Sequence, residues 1–300
     1  MHQLMSARRR QRAVRAARFV VMAIVFSFWT RGACAQDDDP AARRLNDSPR
    51  HHEWVEIATP AGRTVRTWVV FPEVDRAVPA VVIIHENRGL NDWARGVADQ
   101  IAEAGYVALA PDLLSGTGPD GGGTSSFKSV DDARNAISAL TAGQVMADLD
   151  AVVAHARAMD ATTDTVAVGG FCWGGGQTFS YAARNPEIAA AYVFYGRSVT
   201  DEEELAKIKA PVYGFYGGDD FRITGSVEGV AASMKKLGRT FEPVVYEGAG
   251  HAFLRSGETA AADHPNRKAY LAAWQRWKEL LRRLDAPGTE PGAKPGAPPH

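Results

Sequence analysis

The strongest constraint on the fold is a series of short, uninterrupted apolar segments that alternate with segments of helical periodicity. Residues 80–85 and 165–170 are apolar without polar alternation, which is typical of strands buried on both faces. Residues 92–104 and 144–159 have the spacing of amphipathic helices. This alternation predicts an α/β fold in which helices cover both faces of a mostly parallel central sheet, as a three-layer αβα arrangement.

The segments at either end of this pattern define the expected domain. Residues 53–71 contain two alternating stretches that predict an antiparallel hairpin at the start of the sheet. No repeat or second boundary interrupts the chain after it, so we expect one domain over residues 53–284. Residues 36–52 are polar and predict a disordered leader, and the Pro/Gly-rich residues 285–300 predict a disordered tail.

The first 35 residues have the organisation of a secretory signal peptide. An arginine-rich start precedes an apolar run over residues 19–29, and Ala33-Cys34-Ala35 provides a small-residue exit. A membrane anchor is the alternative, but the run is shorter than the ~20 residues that a spanning helix needs. We therefore expect cleavage after Ala35, a periplasmic location, and Cys172 as the single cysteine of the mature chain.

Removal of these residues changes the charge of the chain. The whole sequence has a net charge of -1, but the first 35 residues contain seven arginines and no acidic residue. The remainder has 27 basic and 35 acidic residues, a net charge of -8. Nucleic acids and anionic membranes bind basic surfaces, so we expect neither a nucleic-acid partner nor stable membrane association after cleavage.

Cys172 is the candidate nucleophile. It lies in Gly-Phe-Cys-Trp-Gly, directly after a predicted buried strand and directly before a predicted helix. This is the nucleophile-elbow pattern with cysteine in place of serine, and the flanking glycines allow a sharp turn at close approach. The N-terminus of the following helix favours a thiolate and a developing oxyanion. The alternative is an inert, buried structural cysteine.

An elbow nucleophile requires an acid and then a histidine later in the chain. Asp219 and Asp220 follow a predicted strand, where a loop presents carboxylates at the edge of the sheet. His251 lies in a glycine-flanked loop after the last strand, and it alone of the eight histidines has both the order and the setting. Motif register favours Asp220 as the acid, and we expect one aspartate of the pair to be solvated.

Taken together, these segments resemble the dienelactone hydrolase family of the α/β-hydrolase fold, over about residues 53–284. The resemblance implies a triad of Cys172, His251 and Asp220. It also implies that Glu86 lies near the resting thiol and helps to generate the thiolate when substrate binds. The segments that carry the resemblance are His85-Glu86-Asn87-Arg88-Gly89-Leu90, 105–113, 170–176, 217–222 and 250–255.

Further site residues follow from the same resemblance. The backbone N–H groups of Asn87 and Trp173 are expected to form the oxyanion hole. Arg255 matches the family position that binds the substrate carboxylate, a task that suits a guanidinium fork. Arg134 and Arg88 are the candidates for a second carboxylate-binding arginine.

The sequence thus predicts a hydrolase that cleaves a small ester or lactone through an acyl-enzyme on Cys172. We expect a monomer with no cofactor, and no metal-ligand spacing is found in the sequence. One alternative is a general carboxylesterase on the same triad, and another is a non-catalytic binding protein on a hydrolase scaffold. A thiol redox protein is disfavoured because the mature chain has no second cysteine to resolve a disulfide.

Overall fold

A mixed eight-stranded sheet lies at the centre of the computed structural model, which describes residues 40–285. Across the sheet the first strand lies at one edge and the eighth at the other, and only the third and fourth strands exchange places relative to chain order. In chain order the strands are β1 (His52–Ala58), β2 (Thr64–Val70), β3 (Val78–Ile84), β4 (Val107–Pro111), β5 (Thr162–Phe171), β6 (Ala191–Phe194), β7 (Val212–Gly217) and β8 (Phe241–Tyr246).

The strand directions confirm the fold expected from the sequence. β1 pairs antiparallel with β2, and β2 pairs antiparallel with β4. All remaining neighbours, from β4 through β3, β5, β6 and β7 to β8, are parallel. Parallel neighbours bring the carboxyl ends of β3, β5, β6 and β7 to one edge of the sheet, where α/β proteins bind ligands.

Helices cover both faces of the sheet, and each face has its own apolar core. α2 and α10 pack with large aromatic residues such as Trp277 on one face, whereas α4, α5 and α8 pack on the other. The helices are α1 (Pro40–Asp47), α2 (Asp92–Glu103), α3 (Val130–Ala139), α4 (Ala142–Ala158), α5 (Trp173–Arg184), α6 (Glu202–Lys207), α7 (Phe221–Thr224), α8 (Val227–Lys236), α9 (Phe253–Ser256) and α10 (Pro265–Leu281).

The segment before β1 differs from our expectation of a disordered leader over residues 36–52. Residues 40–47 form α1, and Arg50 donates two hydrogen bonds to the buried carboxylate of Asp99 in α2, at 2.9 and 2.7 Å. Ser48 donates a third, at 2.5 Å. A buried carboxylate needs hydrogen-bond donors or a charge partner. For Asp99, Ser48 and Arg50 of the leader provide them. The predicted signal peptide and most of the predicted tail lie outside the described residues.

A buried carboxylate holds the glycine-rich segment after β4. Asp112 accepts hydrogen bonds from the backbone N–H and the hydroxyl of Thr124, both at 2.7 Å. The Thr124 hydroxyl in turn accepts from the N–H of Leu90 at 2.9 Å. The segment is thereby fixed to the loop that follows β3.

Within residues 40–285, no single helix is long and apolar enough to cross a membrane. α3 and α4, which meet at a bend of 96°, pass that test of length and composition only as a pair.

Candidate active site

The sharpest backbone turn of the site lies at Cys172, between β5 and α5. Its φ and ψ are 54° and -114°, a conformation that is uncommon for a residue with a side chain. Its N–H donates to the carbonyl of Phe194 at 3.0 Å, and its carbonyl accepts from the N–H of Gly176 at 3.2 Å. The strained residue therefore stands at the N-terminus of α5 with its side chain at the sheet edge.

Two glycines explain how this turn can be so tight. A Cβ atom on Gly170 would overlap the carbonyl oxygen of Gly174. A Cβ atom on Gly174 would overlap the carbonyl oxygens of Ile84 and His85 at the end of β3. Strand β5, helix α5 and the end of β3 thus meet at a distance that only glycine permits. This close approach is the physical basis of the Gly-x-Cys-x-Gly spacing.

The structure brings Cys172, His251 and Asp220 into one chain of contacts. The Nε2 atom of His251 lies 3.1 Å from the Sγ atom of Cys172. Its Nδ1 atom lies 2.5 Å from Oδ2 of Asp220, whose side chain is 7% exposed. Asp219 is exposed and points to no partner within the described residues. Of the two aspartates that the sequence left open, Asp220 is the one in contact with the histidine.

Local structure fixes the histidine and the acid at this edge. Asp220 follows β7 and its carbonyl accepts the N–H groups of Ile223 and Thr224 in the short helix α7. His251 lies in the loop between β8 and α9, and the N–H of the preceding Gly250 donates to Asn266 of α10 at 2.8 Å. Both side chains are therefore held by backbone contacts outside the site.

The contacts of His251 favour its charged form. The hydrogen bond to Cys172 is the largest contribution, and the bond to Asp220 acts in the same direction against partial burial. Together they raise the pKa of His251 to about 9, compared with about 6.5 for an ordinary histidine. At neutral pH the ring is thus an imidazolium, the partner that stabilises a neighbouring thiolate.

A cavity of about 640 Å³ opens above Cys172 and His251. Asn87 and Trp173, whose backbone N–H groups were expected to form the oxyanion hole, both line it. Within residues 40–285 neither N–H donates a hydrogen bond to the protein. Both donors are therefore available to an oxyanion beside the thiol.

Glu86 was expected near the thiol, but its direct partners in the structure are Arg255 and Tyr195. Glu86 is 2% exposed, and its Oε2 accepts from Nε of Arg255 at 2.9 Å. Its Oε1 accepts from the hydroxyl of Tyr195 at 3.3 Å. No hydrogen bond joins Glu86 to Cys172 in the described residues. Tyr195 links Glu86 to His251 instead, because its ring also contacts His251 with centroids 5.3 Å apart.

His85 fixes the backbone that carries Glu86 and Asn87. It is fully buried, and burial lowers its pKa, so the ring is neutral. Its Nδ1–H donates to the carbonyl of Glu86 at 2.7 Å, and Nε2 accepts from the N–H of Leu113 at 3.4 Å. The ring stacks on Trp173, with centroids 5.6 Å apart. His85 thereby contacts both Trp173 and the backbone next to Asn87, the two residues expected to form the oxyanion hole.

The three arginines expected to bind substrate do not share one cavity. Arg134 lines the cavity above Cys172, but it pairs with Asp131 at 2.5 Å. Arg255 and Arg88 line a second cavity of about 510 Å³, which α1 borders through Pro40. Arg88, a candidate for the second carboxylate-binding arginine, thus lines the second cavity and not the one above Cys172.

Comparison with known proteins identifies the family to which the chain belongs. Residues 65–284 match the model of the dienelactone hydrolase family. The chain belongs to this family. The relationship confirms the resemblance deduced from the sequence and the expectation of a hydrolytic enzyme.

Individual relatives in the dienelactone hydrolase family give the extent of the similarity. Proteins named "Putative carboxymethylenebutenolidase" from Methylorubrum extorquens and Salmonella typhimurium are both 34% identical to this chain. The first alignment covers 76% of this chain and 84% of the relative, and the second covers 68% and 77%. A crystal structure named "Putative Dienelactone Hydrolase" from Klebsiella pneumoniae has a TM-score of 0.66 and 27% identity, with 78% of this chain and 99% of that chain covered.

Three residues of the site were not found by reasoning from the sequence. Tyr195, with a φ of 39°, lies between Glu86 and His251 at the end of β6, and burial raises its pKa well above the usual value. Arg197 and Arg222 line the cavity above the thiol. Tyr195 and Arg197 follow β6, and Arg222 lies in α7 after β7, so the available signal was their position in the connections after buried strands.

Metal-ligating residues do not cluster in the described part of the chain. Within residues 40–285, no group of three or more His, Cys, Asp or Glu side chains is arranged to hold a metal ion.

Proposed function

We propose that this protein hydrolyses a small ester or lactone with Cys172 as nucleophile, His251 as general base and acid, and Asp220 as the residue that orients the imidazole. The observation that carries the proposal is the uninterrupted contact from Asp220 through His251 to Cys172, at 2.5 and 3.1 Å. Hydrogen-bonded acid, base and nucleophile in this order form the arrangement used for acyl transfer.

In the first half of the reaction, the thiolate of Cys172 attacks the carbonyl carbon of the substrate and forms the S–C bond. The carbonyl oxygen becomes an oxyanion, which accepts hydrogen bonds from the N–H groups of Asn87 and Trp173. The C–O bond of the ester then breaks, and His251 gives its proton to the leaving oxygen. For a lactone this oxygen stays attached to the acyl-enzyme through the opened ring.

In the second half, water hydrolyses the thioester. His251, now neutral, takes a proton from the water as its oxygen attacks the acyl carbon. The S–C bond breaks, a carboxylic acid leaves, and the thiolate is restored beside an imidazolium. The pKa of His251, raised to about 9, suits a group that holds a proton between turnovers.

Glu86 acts in this proposal through its neighbours. Its carboxylate holds the hydroxyl of Tyr195, whose ring packs against His251, and it pairs with Arg255. Because His251 already holds the proton in the proposed resting state, Glu86 is a positioning residue here and not the proton acceptor that the resemblance implies.

The substrate class is supported by the names of the relatives. A carboxymethylenebutenolide is an unsaturated lactone that carries a carboxylate, and two relatives at 34% identity are named for its cleavage. The cavity of about 640 Å³ accommodates a molecule of that size. We propose an ester or lactone of this small class for the present enzyme.

The test is a panel of enol lactones and simple aryl esters, with the wild-type protein and Cys172→Ala measured in parallel. We expect hydrolysis of at least one activated substrate and a loss of at least a thousand-fold in kcat in the variant. Faster turnover of the enol lactone than of the aryl esters identifies a lactonase, and the reverse identifies a general carboxylesterase. The absence of hydrolysis across the panel would refute the proposal.

We further propose that the enzyme is exported and cleaved after Ala35. This proposal rests on the residue pattern of positions 1–35 alone. Intact-mass measurement of the protein from a periplasmic fraction would then give a mature chain that begins at Gln36. Recovery of the uncleaved chain from the cytoplasmic fraction would overturn this proposal.

A further inference from the structure

The indole ring of Trp173 forms part of the wall of the cavity above Cys172, and two sets of contacts hold it there. One is the ring of the fully buried His85, which stacks on the indole at a centroid distance of 5.6 Å and an interplanar angle of 19°. The other is a small apolar cluster, which consists of Leu114, Ala133 and Ile137. A side chain locked by packing keeps its place when a ligand enters.

Helix α3 completes this part of the wall. Its buried residues, Ala133 and Ile137, belong to the small cluster and to neither of the two large cores. Ile137 and Ser138 line the cavity together with Trp173, whereas most of the other residues of the helix are exposed. The inner face of α3 therefore lies against the indole, and the two together close this side of the cavity.

The order of the strands places this wall on the far side of Cys172 from the histidine. Cys172 follows β5, and in the sheet β3 and β4 lie on one side of β5, whereas β6, β7 and β8 lie on the other. His85 and Leu114, the partners of the indole, follow β3 and β4. His251 follows β8 and reaches the thiol from the opposite side. The nucleophile thus divides the cavity into a Trp173 side and a His251 side.

The two sides of the cavity receive different parts of an ester. In the proposed reaction His251 gives its proton to the leaving oxygen, so the leaving group lies on the His251 side. The carbonyl oxygen lies at the backbone N–H groups of Asn87 and Trp173. The acyl chain is the remaining group on the carbonyl carbon, and it is directed away from the leaving group. It therefore extends toward the indole and α3.

We propose that Trp173 and α3 bound the acyl subsite, and that the indole limits the length of the acyl chain that the enzyme accepts. This inference rests on the proposed function and narrows its substrates to esters and lactones with a short acyl chain. An apolar wall discriminates by size, because a single methylene group in such a pocket changes kcat/KM by about tenfold or more.

The test enlarges the two sides of the cavity separately. Trp173→Leu and Ile137→Ala enlarge the proposed acyl subsite from α5 and from α3, and Trp173→Phe removes less volume and keeps an aromatic ring beside His85. Ile223→Ala is the matched control, because Ile223 is also a buried isoleucine that lines the cavity, but it lies in α7 after β7. None of these changes removes a backbone N–H group, so the expected oxyanion donors stay in place.

The kcat/KM values are measured for two series of esters. 4-Nitrophenyl acetate, butyrate, hexanoate and octanoate differ in the acyl chain, whereas phenyl acetate and 2-naphthyl acetate differ in the leaving group. We expect the octanoate-to-acetate ratio to rise by about tenfold or more in Trp173→Leu, by less in Trp173→Phe, and by about threefold or more in Ile137→Ala. Ile223→Ala should leave this ratio within about twofold of the wild type, and Trp173→Leu should do the same for the naphthyl-to-phenyl ratio.

Each result is a ratio within one variant, so a general loss of active protein cancels, and a merely structural role of the indole would move neither ratio. If Trp173→Leu yields no soluble protein, Ile137→Ala decides by the same ratio. An unchanged acyl ratio in these variants, with acetate still hydrolysed, overturns this inference alone. A change in the naphthyl-to-phenyl ratio instead of the acyl ratio also overturns it, because the indole would then bound the leaving group. Absence of hydrolysis of every ester by the wild type overturns the proposed function and this inference with it.

Discussion

The Nε2 atom of His251 lies 3.1 Å from the Sγ atom of Cys172, although 79 positions separate the two residues in the chain. Neither residue belongs to the interior of a helix or strand. Each occupies a connection at the carboxyl edge of the parallel sheet, and Asp220 joins them from a third connection. Three loops therefore converge because the strands before them, β5, β7 and β8, are parallel and lie in one half of the sheet, with only β6 between β5 and β7.

The first prediction separates the two neighbouring aspartates. Asp220→Asn removes the charge that orients and stabilises the His251 imidazolium, so kcat should fall roughly a hundred- to ten-thousand-fold. Asp219→Asn changes an exposed side chain and is the matched control, with kcat expected within about threefold of wild type. Steady-state kinetics on the best ester substrate measures both. A larger loss for the Asp219 variant would contradict the assignment.

The second prediction concerns the protonation of His251. Its contacts raise its pKa to about 9, so the ring should remain charged at pH 7 to 8, where a histidine with an ordinary pKa of about 6.5 is neutral. Because the bond to Cys172 is the largest contribution, the pKa should move down toward the ordinary value in Cys172→Ala. Nitrogen NMR of labelled histidine gives both titrations. A wild-type ring that is neutral at pH 7.5 is incompatible with this arrangement.

The third prediction tests the close approach at the elbow. Gly174→Ala places a Cβ atom against the carbonyl oxygens of Ile84 and His85, and should lower the free energy of unfolding by about 1–3 kcal/mol. Gly229→Ala is the control, because Gly229 lies within α8 and has open space around it. There alanine should raise the free energy of unfolding by about 0.5–1 kcal/mol. Denaturant titration measures both, and equal effects would disprove the packing explanation.

The fourth prediction tests the attachment of the N-terminal segment. Arg50→Met leaves the buried Asp99 carboxylate without its main charge partner, and should lower the free energy of unfolding by about 3–5 kcal/mol. Arg184→Met breaks an exposed pair with Asp150 and should change it by less than about 1 kcal/mol. Thermal or denaturant unfolding compares the two. If both variants lose little, α1 and the residues after it are not anchored through Asp99.

The fold and the proposed catalytic residues were predictable because local patterns determine them. Buried apolar segments identified the parallel strands, and the Gly-x-Cys-x-Gly turn identified Cys172 at a strand–helix junction. The order of the chain then left His251 as the single suitable histidine. The choice of Asp220 over Asp219 depended on motif register, and the structure adds the contact that distinguishes them.

The remaining features depend on contacts between distant parts of the chain, which local patterns do not encode. Glu86 and Arg255 are 169 positions apart, and their pairing moves the arginine away from the cavity of Cys172. α1 was missed because the polar leader is attached through pairs with distant residues, Arg44 with Glu258 and Arg50 with Asp99. Tyr195 carries no local signal of its role, since its hydroxyl meets Glu86 only in the folded protein.

The central claim is that the acyl group of a substrate is transferred to Cys172. Rapid mixing with an excess of an activated ester, acid quenching and peptide mass spectrometry measure this directly. The predicted result is an adduct with the mass of the acyl group on the peptide that contains Cys172, formed within the first turnover and absent in Cys172→Ala. Hydrolysis by Cys172→Ala at the wild-type rate, with no adduct on the wild-type peptide, would contradict it.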